Sequence, residues 1–88
     1  MGQFVITRTK RFGKQFLKQP AKIQKATEQR LKLFAVQPNS PQLRHHQLQG
    51  KMQKYYSINI TGDIRALYYC DGDTIIIFDL IGSHSQLY

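Results

Sequence analysis

Two turns built around glycine constrain the fold of this chain more than any other feature of its sequence. Thr61-Gly62-Asp63 and Asp71-Gly72-Asp73 separate three β-rich runs, at residues 55–60, 64–70 and 74–80. Gly beside Asp is a common turn composition, and apolar runs on both sides of such turns are typical of paired strands. The C-terminal part of the chain therefore predicts an antiparallel meander of three strands.

Side-chain alternation assigns the two faces of the middle strand. Arg65 and Leu67 share one face, whereas Ala66, Tyr68 and Cys70 share the other. We expect the second face to meet the helices. Arg65 is therefore predicted to lie on an open concave surface, and Cys70 is predicted to be a reduced core residue.

The N-terminal half predicts one strand and two helices. Residues 4–7 are β-rich, Phe12 and Phe16 have helical spacing, and Pro20 suits the first turn of a second helix that runs to about Val36. The element order β-α-α-β-β-β predicts an α+β fold. Its sheet is small and dominated by antiparallel pairs, with both helices packed on one face.

The second helix and the segment after it contain three features of interest. Arg30 falls within the apolar stripe, which suits a side chain whose stem packs and whose head reaches solvent or a carboxylate. Phe34 on the same stripe is predicted to be core. Pro38-Asn39-Ser40-Pro41 ends the helix, and the polar passage at residues 42–54 is a candidate functional loop.

Positive charge is concentrated in the first half of the chain. Residues 1–44 hold ten Lys and Arg against one acid, whereas the remainder has a net charge of −1, for a total of +8. A basic half attracts polyanions, of which nucleic acid is the first candidate and an acidic protein the second. A solvated helix surface without such a partner is the alternative.

Length and composition also predict location and cofactor use. We expect one domain over residues 1–88, in the cytoplasm and not in a membrane, because the sequence shows neither a bilayer-spanning apolar run nor a signal peptide.

The lone Cys70 cannot form an internal disulfide. The adjacent His45-His46 side chains would diverge and His84 is distant, so we expect neither a metal nor a cofactor.

Histidines with neighbouring cations and carboxylates suit metal-free RNA cleavage. In that reaction the 2′-hydroxyl attacks the adjacent phosphorus. An enzyme then needs a base, an acid for the departing 5′-oxygen and cations for the charge that builds on phosphate. The candidates for these roles are His46, Asp63, His84, Arg65 and Lys51 or Lys54.

Three segments carry a family resemblance: His46-Gln47-Leu48-Gln49-Gly50, Gly62-Asp63-Ile64-Arg65-Ala66-Leu67-Tyr68-Tyr69 and Ile81-Gly82-Ser83-His84-Ser85-Gln86-Leu87-Tyr88. They resemble the RelE/ParE superfamily of bacterial type II toxins and are most similar to its YafQ-like, RelE-like mRNA interferase branch. Length and element order match as well. The resemblance implies a ribosome-dependent, metal-free mRNA endoribonuclease that inhibits translation, with the ribosome, mRNA and a cognate antitoxin as partners.

The resemblance also implies a role for each matching residue. His46 matches a catalytic histidine, and Asp63 matches a base or a group that orients one. His84 matches the general acid, and Arg65 matches the arginine that stabilises the phosphorane. Tyr88 matches a terminal aromatic that contacts the substrate. The remaining predicted substrate contacts are Lys51, Lys54 and Asn59, and the predicted ribosomal RNA contacts are Lys10, Arg11, Lys14, Lys18, Lys22 and Lys25.

Two positions depart from the YafQ-like pattern. Asn59 stands where those proteins carry a second histidine, and Leu80 stands where they carry an arginine before the Gly-x-His motif. These departures keep open the alternative of a non-catalytic toxin-fold binding protein. A second alternative is a ParE-like toxin that inhibits DNA gyrase, a branch that shares the fold. The gyrase branch lacks the histidine set, so His46 and His84 count against it.

Each candidate residue also has a purely structural interpretation. His46 could brace its loop, because loop histidines often make structural hydrogen bonds. Asp63 suits ordinary turn chemistry, and Tyr88 could anchor the terminus. Arg65 could form a surface ion pair with Asp63 or Asp79.

Overall fold

The first and last strands of the chain are neighbours in a five-stranded sheet. The computed structural model describes residues 4–87. Its strands are β1 (Val5–Arg8), β2 (His46–Gln47), β3 (Tyr56–Thr61), β4 (Ile64–Asp71) and β5 (Ile75–Ser83). Their order in the sheet is β1-β5-β4-β3-β2, with β1 parallel to β5 and the other pairs antiparallel. The predicted meander and α+β class are confirmed.

Three helices accompany the sheet. They are α1 (Lys10–Leu17), α2 (Ala21–Val36) and the short α3 (His84–Leu87). Thr9 caps α1, because its Oγ1 accepts a hydrogen bond from the Phe12 amide at 3.1 Å. Pro20 occupies the N-cap position of α2. Within residues 4–87, no helix combines the length and the apolar character needed to traverse a bilayer.

The core lies between α1, α2 and one face of the sheet. Phe12 on α1 and Phe34 on α2 are 0% and 3% exposed and contact Phe78 with ring centroids 5.9 and 5.7 Å apart. Burying one such side chain contributes about 1.5–3 kcal/mol. Phe34 is therefore core, as predicted. The sheet residues of this cluster are Ile58, Ile60, Ala66, Tyr68, Ile76, Phe78 and Ile81.

A bulge in β3 explains the arginine within the apolar stripe of α2. Asn59 pairs with Arg65 and Thr61 pairs with Ile64, so Ile60 has no partner on β4. Its free carbonyl accepts a hydrogen bond from Arg30 Nε at 3.0 Å. Arg30 Nη1 also donates to the Gln42 amide oxygen at 2.7 Å, so its head meets neutral oxygens and not the carboxylate we had considered.

A second bulge, in β5, turns a carboxylate away from the apolar core. Leu67 pairs with Leu80 and Tyr68 pairs with Phe78, which leaves Asp79 between them without a partner. The extra residue reverses the alternation, so Phe78 and Ile81 both reach the core. Asp79 is 5% exposed and is the only buried acid among residues 4–87.

The prediction for Cys70 was wrong. The Cys70 side chain is exposed, although it lies on the face of β4 that meets the helices. It lines a groove of about 300 Å³ together with Ala35 and Pro38 at the C-terminal end of α2. No side chain fills this space beside the end of β4, so face alternation alone does not bury the residue.

Candidate functional site

A polar cleft lies on the face of the sheet opposite the helices. Its volume is about 360 Å³, and its lining residues are Arg44, His46, Ser57, Asn59, Gly62 and Arg65. The strand register builds it in two rows, His46-Ser57-Leu67 and then Asn59-Arg65-Gly82. Residues two apart on the same strand point to the same face, so the two rows lie side by side on one surface of the sheet. The structure thus brings together three predicted site residues, His46, Asn59 and Arg65.

His46 has a defined tautomer. Its Nδ1 lies 2.7 Å from the Arg44 carbonyl oxygen, which can only accept, so Nδ1 carries the hydrogen. The Nε2 atom has no hydrogen-bond partner among residues 4–87. His46 is exposed on β2. When neutral, it therefore presents a free basic nitrogen at the cleft.

Arg44 is a cleft residue that the sequence analysis missed. It follows the 3₁₀ turn Pro41–Leu43 in a left-handed conformation, with φ 46° and ψ 43°. Its backbone N–H donates to the Pro41 carbonyl at 3.2 Å. Left-handed backbone costs a non-glycine residue about 1–2 kcal/mol. The sequence carries no signal for this conformation, because Arg44 is neither glycine nor asparagine.

Arg65 is half-buried and pairs across the sheet with Asn59. Its guanidinium makes no hydrogen bond or ion pair with any residue in the range 4–87. The predicted structural alternative of a pair with Asp63 or Asp79 is therefore not present within that range. Asp63 is exposed in the β3-β4 turn, and Asp79 is engaged elsewhere.

His84 lies at the end of the sheet where the cleft opens. Ser83 pairs with Ile64, so His84 follows directly at the level of the Gly62-Asp63 turn. It is exposed and begins α3. Tyr88, the predicted substrate contact, lies outside the described residues.

Gly82 lets the short helix α3 fold back onto the strand before it. A Cβ at Gly82 would lie 2.8 Å from the Gln86 side-chain oxygen. That oxygen accepts a hydrogen bond from the Ser83 amide at 2.7 Å, and the Gln86 amide lies 3.3 Å from Ser83 Oγ. These contacts fix the path of the chain through His84.

The two lysines predicted to contact substrate do not line the cleft. Lys54 Nζ lies 5.1 Å from the ring centroid of Tyr55 and 5.0 Å from that of Tyr69, a cation-π arrangement on the same sheet face. Lys51 is exposed in the 3₁₀ turn Gly50–Met52. Both are free to contact a ligand that extends beyond the cleft.

His45 anchors the loop that carries two of the cleft residues. Its Nδ1–H donates to the Pro38 carbonyl at 3.1 Å, and its Nε2 accepts from the Tyr68 hydroxyl at 2.5 Å. Burial lowers the pKa of His45 and raises the pKa of Tyr68. The side chains of His45 and His46 thus diverge, as predicted for adjacent residues of an extended segment. That His45 holds the loop was not predictable from sequence, because both of its partners, Pro38 and Tyr68, are distant in the chain.

The predicted ribosomal RNA contacts divide into two groups. Five lysines on or beside α1 and α2 are exposed: Lys10, Lys14, Lys18, Lys22 and Lys25. Arg11 differs, because its Nη2 lies 2.5 Å from Asp79 Oδ2, an ion pair in which the arginine side chain stays 58% exposed.

Asp79 gathers three donors at the junction of β1, α1 and β5. The Tyr55 hydroxyl donates to it at 2.6 Å and the Thr9 hydroxyl at 2.8 Å, besides Arg11. Burial opposes the charged form of Asp79, yet these hydrogen bonds outweigh it and hold the pKa of the carboxyl below its ordinary value. Burial and the bond to Asp79 raise the pKa of Tyr55 to about 12.

Residues 4–87 contain no group of three His, Cys, Asp or Glu side chains placed to hold a metal ion. The side chains that line the cleft carry one imidazole, two guanidinium groups, an amide and a hydroxyl.

Known structures share this fold. YafQ from E. coli has a TM-score of 0.79 at 20% identity, covering 98% of this chain and 99% of that chain. The E. coli DinJ-YafQ toxin-antitoxin complex gives 0.78 at 21% identity, covering 98% of both chains. A copper-bound mutant toxin from Helicobacter pylori gives 0.72 at 26% identity, covering 98% of this chain and all of the other. The predicted RelE-like fold is confirmed.

Sequence comparison gives the family. No curated protein is significantly similar to the chain. The model of the family described as "Bacterial toxin of type II toxin-antitoxin system, YafQ" matches residues 4–88, nearly the whole sequence. The chain therefore belongs to the YafQ family of type II toxin-antitoxin toxins.

Proposed function

We propose that this toxin is an mRNA endoribonuclease that acts on translated mRNA at the ribosome and thereby inhibits translation. The observation that carries the proposal is the shared cleft of His46, Asn59 and Arg65. A basic nitrogen with a defined tautomer beside an unpaired guanidinium is the combination that phosphodiester cleavage by a 2′-hydroxyl requires.

His46 is the proposed general base. Its Nδ1 is held by the Arg44 carbonyl, so Nε2 accepts the proton of the 2′-hydroxyl. The 2′-oxygen then forms a bond to phosphorus while the bond from phosphorus to the 5′-oxygen breaks. Arg65 stabilises the negative charge that develops on the phosphoryl oxygens. The products are a 2′,3′-cyclic phosphate and a 5′-hydroxyl.

His84 is the proposed general acid for the departing 5′-oxygen. It stands at the end of the sheet toward which the cleft opens, one residue beyond the Ser83-Ile64 pair. Asp63 lies in the turn at the same end and is proposed to orient one of the two histidines. Because the proposed base lies on β2 and the proposed acid directly follows β5, the RNA would lie across the sheet between them.

Ribosome dependence is supported by the charge on the helices. The five exposed lysines of α1 and α2 lie on elements opposite the cleft face, where they are free to contact ribosomal RNA phosphates. Much of the catalytic barrier in such a reaction is positioning. We therefore expect weak cleavage of free RNA compared with mRNA in a translating ribosome.

A cognate antitoxin is the proposed protein partner. The E. coli relative is known as a DinJ-YafQ toxin-antitoxin complex. The net charge of +8 in this chain favours a partner with an acidic contact segment. Co-purification of the chain with the product of the neighbouring short gene, and loss of toxicity on co-expression, would test this partner.

The nuclease proposal is tested by primer extension on a translated transcript after brief induction of the toxin. We expect cuts within translated codons for the wild type, and at least a 100-fold loss for His46→Ala and for His84→Ala, because each removes a proton-transfer group. Cys70→Ala is the control, since its exposed thiol lies on the opposite face. Intact mRNA during growth arrest would contradict the proposal.

A further inference from the structure

Two arginines line the same cleft without an acid to balance them. Neither the Arg44 nor the Arg65 guanidinium makes a hydrogen bond or ion pair within residues 4–87. Like charges placed together on a sheet destabilise it unless something of opposite sign lies between them. The cleft therefore has the electrostatics of an anion site.

No acid of residues 4–87 lines the cleft or pairs with either arginine. Asp79 is bound to Arg11, and Glu28 lies on α2 across the sheet. Asp71 and Asp73 lie at the opposite end of β4, about 20 Å away at the rise of a strand. Asp63 is nearby, but it is exposed and does not line the cleft.

We propose that Arg44 is a substrate-binding residue that, with Arg65, grips the phosphodiester of single-stranded RNA beside His46. This inference rests on the proposed nuclease function and adds a residue to its site. Guanidinium groups bind phosphate oxygens with two parallel hydrogen bonds, so two of them can hold the bridging phosphate from both sides. Arg44 supplies a second cation to the cleft that holds Arg65 and Asn59.

Arg44 contacts the proposed base through its backbone and lines the cleft with its side chain. Its carbonyl fixes the His46 tautomer at 2.7 Å, while its side chain lines the cleft. A left-handed residue at this position would be more favourable as glycine or asparagine. The arginine is therefore not explained by the requirements of the turn, whereas a phosphate contact explains it.

The left-handed conformation also makes a clean test possible. Arg44→Asn removes the guanidinium but suits the same backbone, so the carbonyl that holds His46 stays in place. Arg44→Lys keeps the charge and removes the two-pronged geometry. Lys32→Gln is the matched control, because Lys32 is an exposed cation on α2, across the sheet from the cleft.

The probe is a single-stranded RNA of about eight nucleotides with 2′-O-methyl riboses, which binds but cannot be cleaved. Affinity is measured by fluorescence anisotropy between about 50 and 200 mM salt. For Arg44→Asn we expect about a tenfold loss of affinity and a salt slope smaller by about 0.7, the value for one phosphate contact on a single strand. Arg44→Lys should keep the slope and lose part of the affinity, and the melting temperature of Arg44→Asn should be no lower.

Three outcomes would overturn the proposal: an unchanged slope and affinity in Arg44→Asn, an equal loss in Lys32→Gln, or no binding by the wild type at low salt. The nuclease function fails separately. If the wild type binds the probe through Arg44 but leaves translated mRNA intact, the phosphate site is supported and the nuclease function is contradicted. If translated mRNA is cleaved normally but Arg44→Asn does not change probe binding, the nuclease function is supported and the phosphate site is contradicted.

Discussion

Arg11 and Arg65 both reach the sheet, but their surroundings are opposite. Arg11 meets a buried carboxylate that also accepts hydrogen bonds from two hydroxyls. Arg65 shares a cleft with Arg44 and, within residues 4–87, has no acid partner. The first arrangement joins α1 to β5 and serves the fold. The second leaves positive charge without a protein partner within residues 4–87, available to an anionic ligand.

Introducing an acid into the cleft would remove the difference between Arg65 and Arg11. Asn59→Asp changes one atom at the position paired with Arg65. We expect the new carboxylate to neutralise Arg65 and to repel the phosphate, with a loss of cleavage of roughly 100-fold or more and no loss of stability. Primer extension and thermal unfolding of the same variant check both parts. Retained cleavage would mean that Arg65 is not needed as a free cation.

Removing the Asp79 carboxylate tests how much its hydrogen bonds stabilise the fold. Asp79→Ala leaves the buried Tyr55 hydroxyl and the Thr9 hydroxyl without their acceptor. We expect a decrease of about 2–3 kcal/mol in the free energy of unfolding, measured by urea denaturation. Arg11→Ala should cost less than about 1 kcal/mol, because that side chain is 58% exposed. Equal losses would show that the ion pair, not the hydroxyl acceptor, matters to the fold.

The smallest effect concerns His45, which ties the cleft loop to the sheet. Its pKa is lowered in the folded state by burial, so the folded protein prefers the neutral ring. The stabilising contribution is therefore complete above the ordinary pKa of about 6.5 and is lost as the pH falls through the lower folded value. Melting temperatures at several pH values should fall less steeply on acidification in His45→Gln than in the wild type. Parallel curves would exclude His45 as the titrating group.

Local patterns predicted the parts of the fold that depend on neighbouring residues. The apolar stripe of α2, the two glycine turns and the strand alternation around Arg65 all follow from residues a few positions apart. The parallel pairing of β1 with β5 could not be predicted this way, because it joins residues about seventy positions apart. The exposure of Cys70 has a similar origin, since it depends on which part of the sheet α2 covers.

The candidate site was predictable only in part. His46, Asn59 and Arg65 were identified because of chemistry and resemblance, and the register then placed them together. Arg44 escaped notice because its importance lies in its backbone conformation. Asp79 escaped because a bulge, which the sequence does not announce, sets the direction of its side chain.

The pairing of β1 with β5 has a consequence for folding during synthesis. The chain is made from its N-terminus, so Val5 must wait for Ile75 before it has a neighbour in the sheet. Until then α1 and α2 lack the core contacts of Phe78 and Ile81, and the Gly82 row of the cleft does not exist. A molecule of this topology has no complete cleft until residues 75–83 have been synthesised and paired with β4.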